Sequence, residues 1–121
     1  MKPKTSFIAN LGFAFQGIIY SFKERNIRIH YFAAICTIIM GFILDLSRGE
    51  WNDLVTIIVV VIAYEMVNTS IETIVDMICP DHNKYAGLSK DLAAGAVLVP
   101  AIGAVIIGWN IFLPKIMALY F

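Results

Sequence analysis

LVTIIVVVIAYEMVNTSIETIVD, Leu54 to Asp76, is the stretch whose reading decides the fold. Leu54 to Ala63 is apolar except for Thr56, as in a helix that crosses a membrane. Tyr64 to Asp76 continues that helix, yet it carries Glu65, Asn68, Glu72 and Asp76. At roughly 100° per residue, all four fall within an arc of about 80°. Ionisable groups within a membrane span are costly and mark a site. Three carboxylates on one stripe repel each other unless a cation sits between them. A divalent metal with oxygen ligands, carrying phosphate, is the natural partner. The alternative is a water-facing helix end with ordinary polar residues, but Glu65 follows the apolar run closely, which counts against it.

The rest of the chain fits a membrane setting. Of 121 residues, 60% are hydrophobic and only 15% charged, more apolar than a soluble domain of this length. The formal net charge is zero, so overall charge gives no reason to expect nucleic-acid binding. One domain, residues 1–121, is expected. Cys36 and Cys79 lack metal-ligand spacing and read as small buried or lipid-facing residues rather than a disulfide. The N-terminus has no long apolar core before a small-residue cleavage site, so it does not read as a secretory signal.

Residues 1–25 read as a surface helix. Phe7, Leu11, Phe15, Ile18 and Phe22 share one face, while Asn10, Gln16 and Lys23 lie away from it. That pattern suits a helix lying in the membrane surface. The charged joint Glu24–His30 leads into a first span, 27–46, long enough for a hydrocarbon core. In the loop Asp45–Asp53, Gly49 is expected to break the helix and Trp51 to anchor at the interface. The second span is 51–78, stopped by Pro80. A polar connection, Asp81–Ser89, precedes the third span, 90–113, in which Pro100 is a candidate kink. Gly95, Gly103 and Gly108 offer surfaces for close helix packing. The fold class is therefore all-α membrane protein: an N-terminal amphipathic helix plus three transmembrane helices.

Basic residues set the orientation. Lys2, Lys4, Lys23, Arg25 and Arg28 flank the N-terminal side, against Arg48 alone in the first loop. The N-terminus is then cytoplasmic and the C-terminus extracellular. Glu24, Glu65, Asn68, Glu72, Asp76, Lys90 and Asp91 all come to the cytoplasmic side. Phosphoryl transfer needs such parts: carboxylates for Mg²⁺, a lysine for phosphate charge, and a carboxylate at the acceptor hydroxyl. Glu65 lies roughly 10 Å deeper than Glu72. That depth suits a base meeting a lipid headgroup, while Glu72 meets the metal. No Walker A motif and no GxGxxG loop is present, which excludes a soluble-type nucleotide fold at this length.

Three motifs carry a resemblance: ERN-x-R-x-H over Glu24–His30, E-x-x-N-T-x-I-E-x-x-V-D over Glu65–Asp76, and K-D-x-A-A-G-A-V over Lys90–Val97. Together they resemble the small prokaryotic diacylglycerol kinase family, and most closely its Gram-positive branch, whose members act as undecaprenol kinases. The resemblance spans about Phe7 to Leu113. It implies a homotrimer of three-span subunits in the cell membrane, with active sites between subunits. It implies Glu65 as catalytic base, and Glu24 and Glu72 as ligands of the Mg²⁺ that carries ATP. Asn68 would support Glu65 or the phosphates. Lys90 would contact phosphate, with Asp91 beside it on the nucleotide. Asp76 would sit at the mouth of the site. Asp81–Asn83 align with a nucleotide-contacting stretch and are given no role.

The activity so implied is transfer of the γ-phosphate of ATP to undecaprenol, with diacylglycerol as the alternative acceptor. A different class, a small transporter or channel subunit, would use Glu65 as an ion or proton site. It leaves Glu24, Glu72, Asp76, Lys90 and Asp91 unexplained. A non-catalytic assembly subunit accounts for the spans and nothing else. His30 reads as an interfacial or packing residue, because the other histidine, His82, is far along the chain. Trp109, Tyr120 and Phe121 read as membrane-edge aromatics. Thr69 can hydrogen-bond its own helix backbone.

Overall fold

A computed structural model describes residues 6–121; Met1–Thr5, with the Lys2 and Lys4 of the orientation argument, lie outside the described residues. Four helices follow in order: α1 Phe7–Ser21, α2 Arg25–Ile43, α3 Arg48–Ile78 and α4 Lys84–Tyr120. No strand occurs among the described residues. By length and composition α2, α3 and α4 are each able to cross a membrane. Their outer faces are apolar to match, with Phe32, Ile43, Val59, Leu98 and Val105 all exposed. The two cysteines are unpaired.

Local chemistry explains each helix end. Ser6 opens α1, its Oγ accepting from the Ala9 N–H at 3.2 Å. The α1–α2 joint is pinned from both sides. Ser21 Oγ lies 3.0 Å from the Tyr31 hydroxyl, and the Phe22 ring stacks on the Tyr31 ring at 4.4 Å. Ile27, just inside α2, is the most deeply buried apolar side chain, at 1% exposure.

The turn after α2 corrects one sequence expectation. Gly49 does not break the helix; it lies within the first turn of α3. The chain reverses at Asp45, which takes a left-handed φ of 53°. Aspartate tolerates that region better than most residues with a side chain. The Leu46 N–H then returns to the Gly41 carbonyl at 3.2 Å, closing the helix end. Ser47 caps α3: its Oγ accepts from the Glu50 N–H at 3.2 Å and donates to Glu50 Oε1 at 3.1 Å. The first span therefore stops at Ile43 rather than at residue 46, and the second begins at Arg48 rather than at residue 51.

The third span is also longer than its apolar stretch. Asn83 Oδ1 accepts from the Tyr85 and Ala86 N–H groups at 2.9 and 3.2 Å, so α4 starts at Lys84, inside the expected polar connection. It continues through Pro100 and Pro114 to Tyr120. With 31 and 37 residues, α3 and α4 measure about 46 and 55 Å, both longer than a hydrocarbon core of ~30 Å. The polar lower part of α3 thus has room to stand outside the hydrocarbon.

Packing is strongest between α3 and α4, and weaker between α2 and α3. The hydrophobic cluster lies at the α2–α3 turn, where Leu46, Leu54 and Ile111 are buried among Leu44, Trp51, Ile58, Ile107 and Phe112. Trp51 is half-buried and packs on the end of α2. Its ring lies on Gly41, where an added Cβ would meet Cη2 at 2.7 Å. Lys115 Nζ approaches Glu50 Oε2 at 3.3 Å and ties the same end together. Of the three glycines expected at contacts, Gly103 faces Ile57 at ordinary van der Waals distance, whereas Gly95 has open space.

Candidate active site

Helix geometry turns the spacing of Glu65, Asn68 and Glu72 into one stripe of α3. Glu65 and Asn68 are buried, 4% and 5% exposed, and Glu72 is half-buried. Asn68 Nδ2 donates to Glu72 Oε1 at 3.3 Å, one turn further on. A carboxylate only accepts, so this bond fixes the amide with its nitrogen toward Glu72. The amide oxygen is left buried with no hydrogen-bond partner, as is Glu65 Oε1.

Orphaned buried acceptors of this kind are rare and costly. Two of them, three residues apart on one face, ask for a donor or a cation. An O–H group or a hard metal ion meets that need equally well.

The second oxygen of Glu65 has a neighbour from another helix. His30 Nε2, on α2, stands 3.6 Å from Glu65 Oε2. That is ion-pair range and a little too long for a hydrogen bond. The sequence reading made His30 a packing or interfacial residue; the fold aims it at the buried carboxylate. The signal was available in the connectivity. Counted from the turn, His30 lies about 15 residues before Asp45 and Glu65 about 18 after Ser47. At ~1.5 Å per residue the two come to similar depth in antiparallel helices.

His30 also stands at the head of an apolar groove of about 270 Å³. Ala34 and Thr37 of α2, Leu54 to Ile62 of α3 and Ala101 to Gly108 of α4 supply its walls. Polar chemistry at one end and hydrocarbon walls along the rest give the shape of a site for an amphiphile.

The other expected residues are distributed unevenly. Lys90 Nζ donates to Asp76 Oδ1 at 2.8 Å, joining α4 to α3 across the polar turn. Both side chains are well exposed, so the pair contributes little to stability. Together they border a polar hollow of about 330 Å³ that also includes Asp81, His82 and Asn83. Asp91 is exposed beside this region.

Glu24 stands apart. It occupies the N-cap position of α2 without capping it through its side chain. It lines a groove whose α3 wall is Met66, Thr69, Ser70, Thr73 and Ile74, none of them a residue of the carboxylate stripe. Glu72 is not among the walls of that groove. Thr69 contributes its carbonyl, which accepts from Thr73 Oγ1 at 2.8 Å. Among the described residues, no three acidic, histidine or cysteine side chains converge to hold a metal.

Comparison with known proteins shows the family. Residues 12–112 match the family model described as prokaryotic diacylglycerol kinase. The chain belongs to the prokaryotic diacylglycerol kinase family.

Relatives within the family differ in the substrate they are named for. The chain is 44% identical to the undecaprenol kinase of Bacillus subtilis over 93 residues, 77% of this chain and 76% of that one. It is 34% identical over 114 residues to a diacylglycerol kinase of Synechocystis, covering 93% of this chain and 65% of the relative. With the diacylglycerol kinase of Escherichia coli the identity is 28% over 110 residues, 90% and 89% of the two chains. All three motif segments lie within the matched family region.

Proposed function

We infer that this protein is an integral-membrane lipid kinase that transfers the γ-phosphoryl group of ATP to the hydroxyl of undecaprenol. One observation carries the reading: the buried, half-unpartnered Glu65 lies beside His30, and His30 lines the head of an apolar groove. A lipid alcohol has the matching shape, with one O–H to donate and a hydrocarbon body to bury. Glu65 Oε1, lacking a donor, accepts that proton as the hydroxyl oxygen attacks the γ-phosphorus. The bond to the β-phosphate oxygen breaks, and ADP leaves.

Magnesium fits the donor set. Glu72, Asn68 and Glu24 offer hard oxygens, and Mg²⁺ binds through one or two carboxylates together with substrate phosphates. When bound, Mg²⁺ neutralises charge on the phosphate oxygens. Glu24 and Glu72 are its proposed ligands. Asn68 orients Glu72 through its amide. Lys90, held by Asp76, meets the phosphates, with Asp91 beside it toward the nucleotide.

Within one subunit, Glu24 lines a groove from which Glu72 is absent. That separation supports sites completed between subunits of a homotrimer. The N-terminus is assigned to the cytoplasm and the C-terminus to the outside of the cell membrane, with α1 in the inner surface and residues 1–121 as one domain.

Undecaprenol is preferred as acceptor because the relative at 44% identity is named for it. Diacylglycerol is the second reading, supported by the relatives at 34% and 28%. Purified protein in mixed micelles, given Mg·ATP with undecaprenol or diacylglycerol, tests both. Faster phosphorylation of undecaprenol is expected. The reverse order assigns diacylglycerol, and no phosphorylation of either lipid rejects the kinase reading.

A further inference from the structure

We propose that His30 is the positioning residue of Glu65, holding one carboxylate oxygen so that the other faces the acceptor hydroxyl. The proposal rests on the lipid kinase reading above and assigns a role that none of the motif carboxylates fills.

The two oxygens of Glu65 are not equivalent. Oε2 is 3.6 Å from His30 Nε2, whereas Oε1 is buried without a partner. A buried carboxylate with nothing to hold it would rotate about its last torsion and present either oxygen, because such sp² torsions are soft and two-fold. A donor on one side breaks that symmetry. In the proposed arrangement Nε2 is the donor to Oε2, because a carboxylate only accepts.

The surroundings leave this task to His30. Ala33, Ala34 and Thr37 follow it along α2, and Thr37 Oγ1 donates to the Ala34 carbonyl instead. The α3 residues in the same groove, Val61 and Ile62, have no polar side chain. Asn68 directs its amide nitrogen to Glu72. The present separation exceeds a hydrogen bond by a few tenths of an ångström, which is usual for a catalytic contact that tightens when substrate binds.

Side-chain lengths supply the test. Glutamine carries an N–H donor about as far from the backbone as Nε2; leucine fills the space with no donor. His30→Gln and His30→Leu are compared with wild type for lipid phosphorylation, with separate kcat and KM values for Mg·ATP. Wild-type turnover establishes the kinase reading independently. His30→Leu is expected to lower kcat about tenfold or more while KM for Mg·ATP stays within about twofold, a loss confined to the chemical step. His30→Gln is expected to recover most of that loss. Assembly is checked by detergent-phase sizing and thermal melting of both variants. Since a leucine variant that failed to assemble would leave kcat unread, His30→Asn, whose amide is one methylene shorter, gives a second comparison and is expected to resemble leucine in kcat. Equal activities for glutamine and asparagine, or an unchanged kcat in His30→Leu, would overturn the proposal.

Discussion

Asn68 gives its amide hydrogen to Glu72 Oε1 at 3.3 Å and keeps its own carbonyl oxygen buried and unpartnered. The amide thus orients one carboxylate and offers a ligand atom of its own. Asn68→Leu removes both. If Glu72 is a metal ligand, loss of its orienting partner should cost about 10- to 100-fold in activity. Part of the loss should return as Mg²⁺ is raised, and a magnesium titration of lipid phosphorylation reads this directly.

Glu65→Gln preserves size but removes the proposed proton acceptor. A positioned general base contributes roughly 10²–10⁴-fold, so kcat should fall by that order. Mg·ATP binding, followed by a fluorescent nucleotide analogue, should change little. Turnover near that of wild type would take the base role from Glu65.

Glu24→Ala and Glu72→Ala should each weaken Mg·ATP binding, and their losses should fall short of additivity. Residues serving one metal act as a unit, and coupling energies of about 0.5–3 kcal/mol are usual for such pairs. A double-mutant cycle on nucleotide affinity measures the coupling. Full additivity would separate the two carboxylates into different sites.

Gly41→Ala should destabilise the bundle without touching the chemistry. The new Cβ would meet the Trp51 ring at 2.7 Å, and an indole held between α2 and α3 has little room to retreat. Overpacking of this kind costs about 1–3 kcal/mol. Thermal melting in detergent should show the loss, and Trp51→Leu in the same chain should return part of it. Additive losses in the two variants would mean that the ring is free to move.

What was legible in the sequence was whatever depends on periodicity. The number of spans and the shared face of Glu65, Asn68 and Glu72 both follow from the regular turn of α3. Helix ends were less legible because side-chain capping decided them. Asn83 starts α4 within a polar stretch, and Ser47 starts α3 ahead of the glycine that looked like a breaker. The reversal at Asp45 depends on a left-handed backbone that aspartate tolerates without advertising it. His30 was missed for a third reason. Its meaning comes from the depth it shares with Glu65 on a different helix, and no single-helix pattern contains that.

The apolar groove below His30 is bounded by three helices and open along its remaining side. If this groove takes the acceptor lipid, the lipid enters from within the leaflet, with its chain never leaving hydrocarbon. Encounter is then two-dimensional. The variable that governs rate is the mole fraction of acceptor among its neighbouring lipids, and adding inert lipid at fixed total substrate will slow the enzyme by surface dilution. ATP arrives from water and obeys ordinary bulk concentration. On the proposed reading the two substrates of one reaction are thus counted in different units, one arriving sideways and the other from the end.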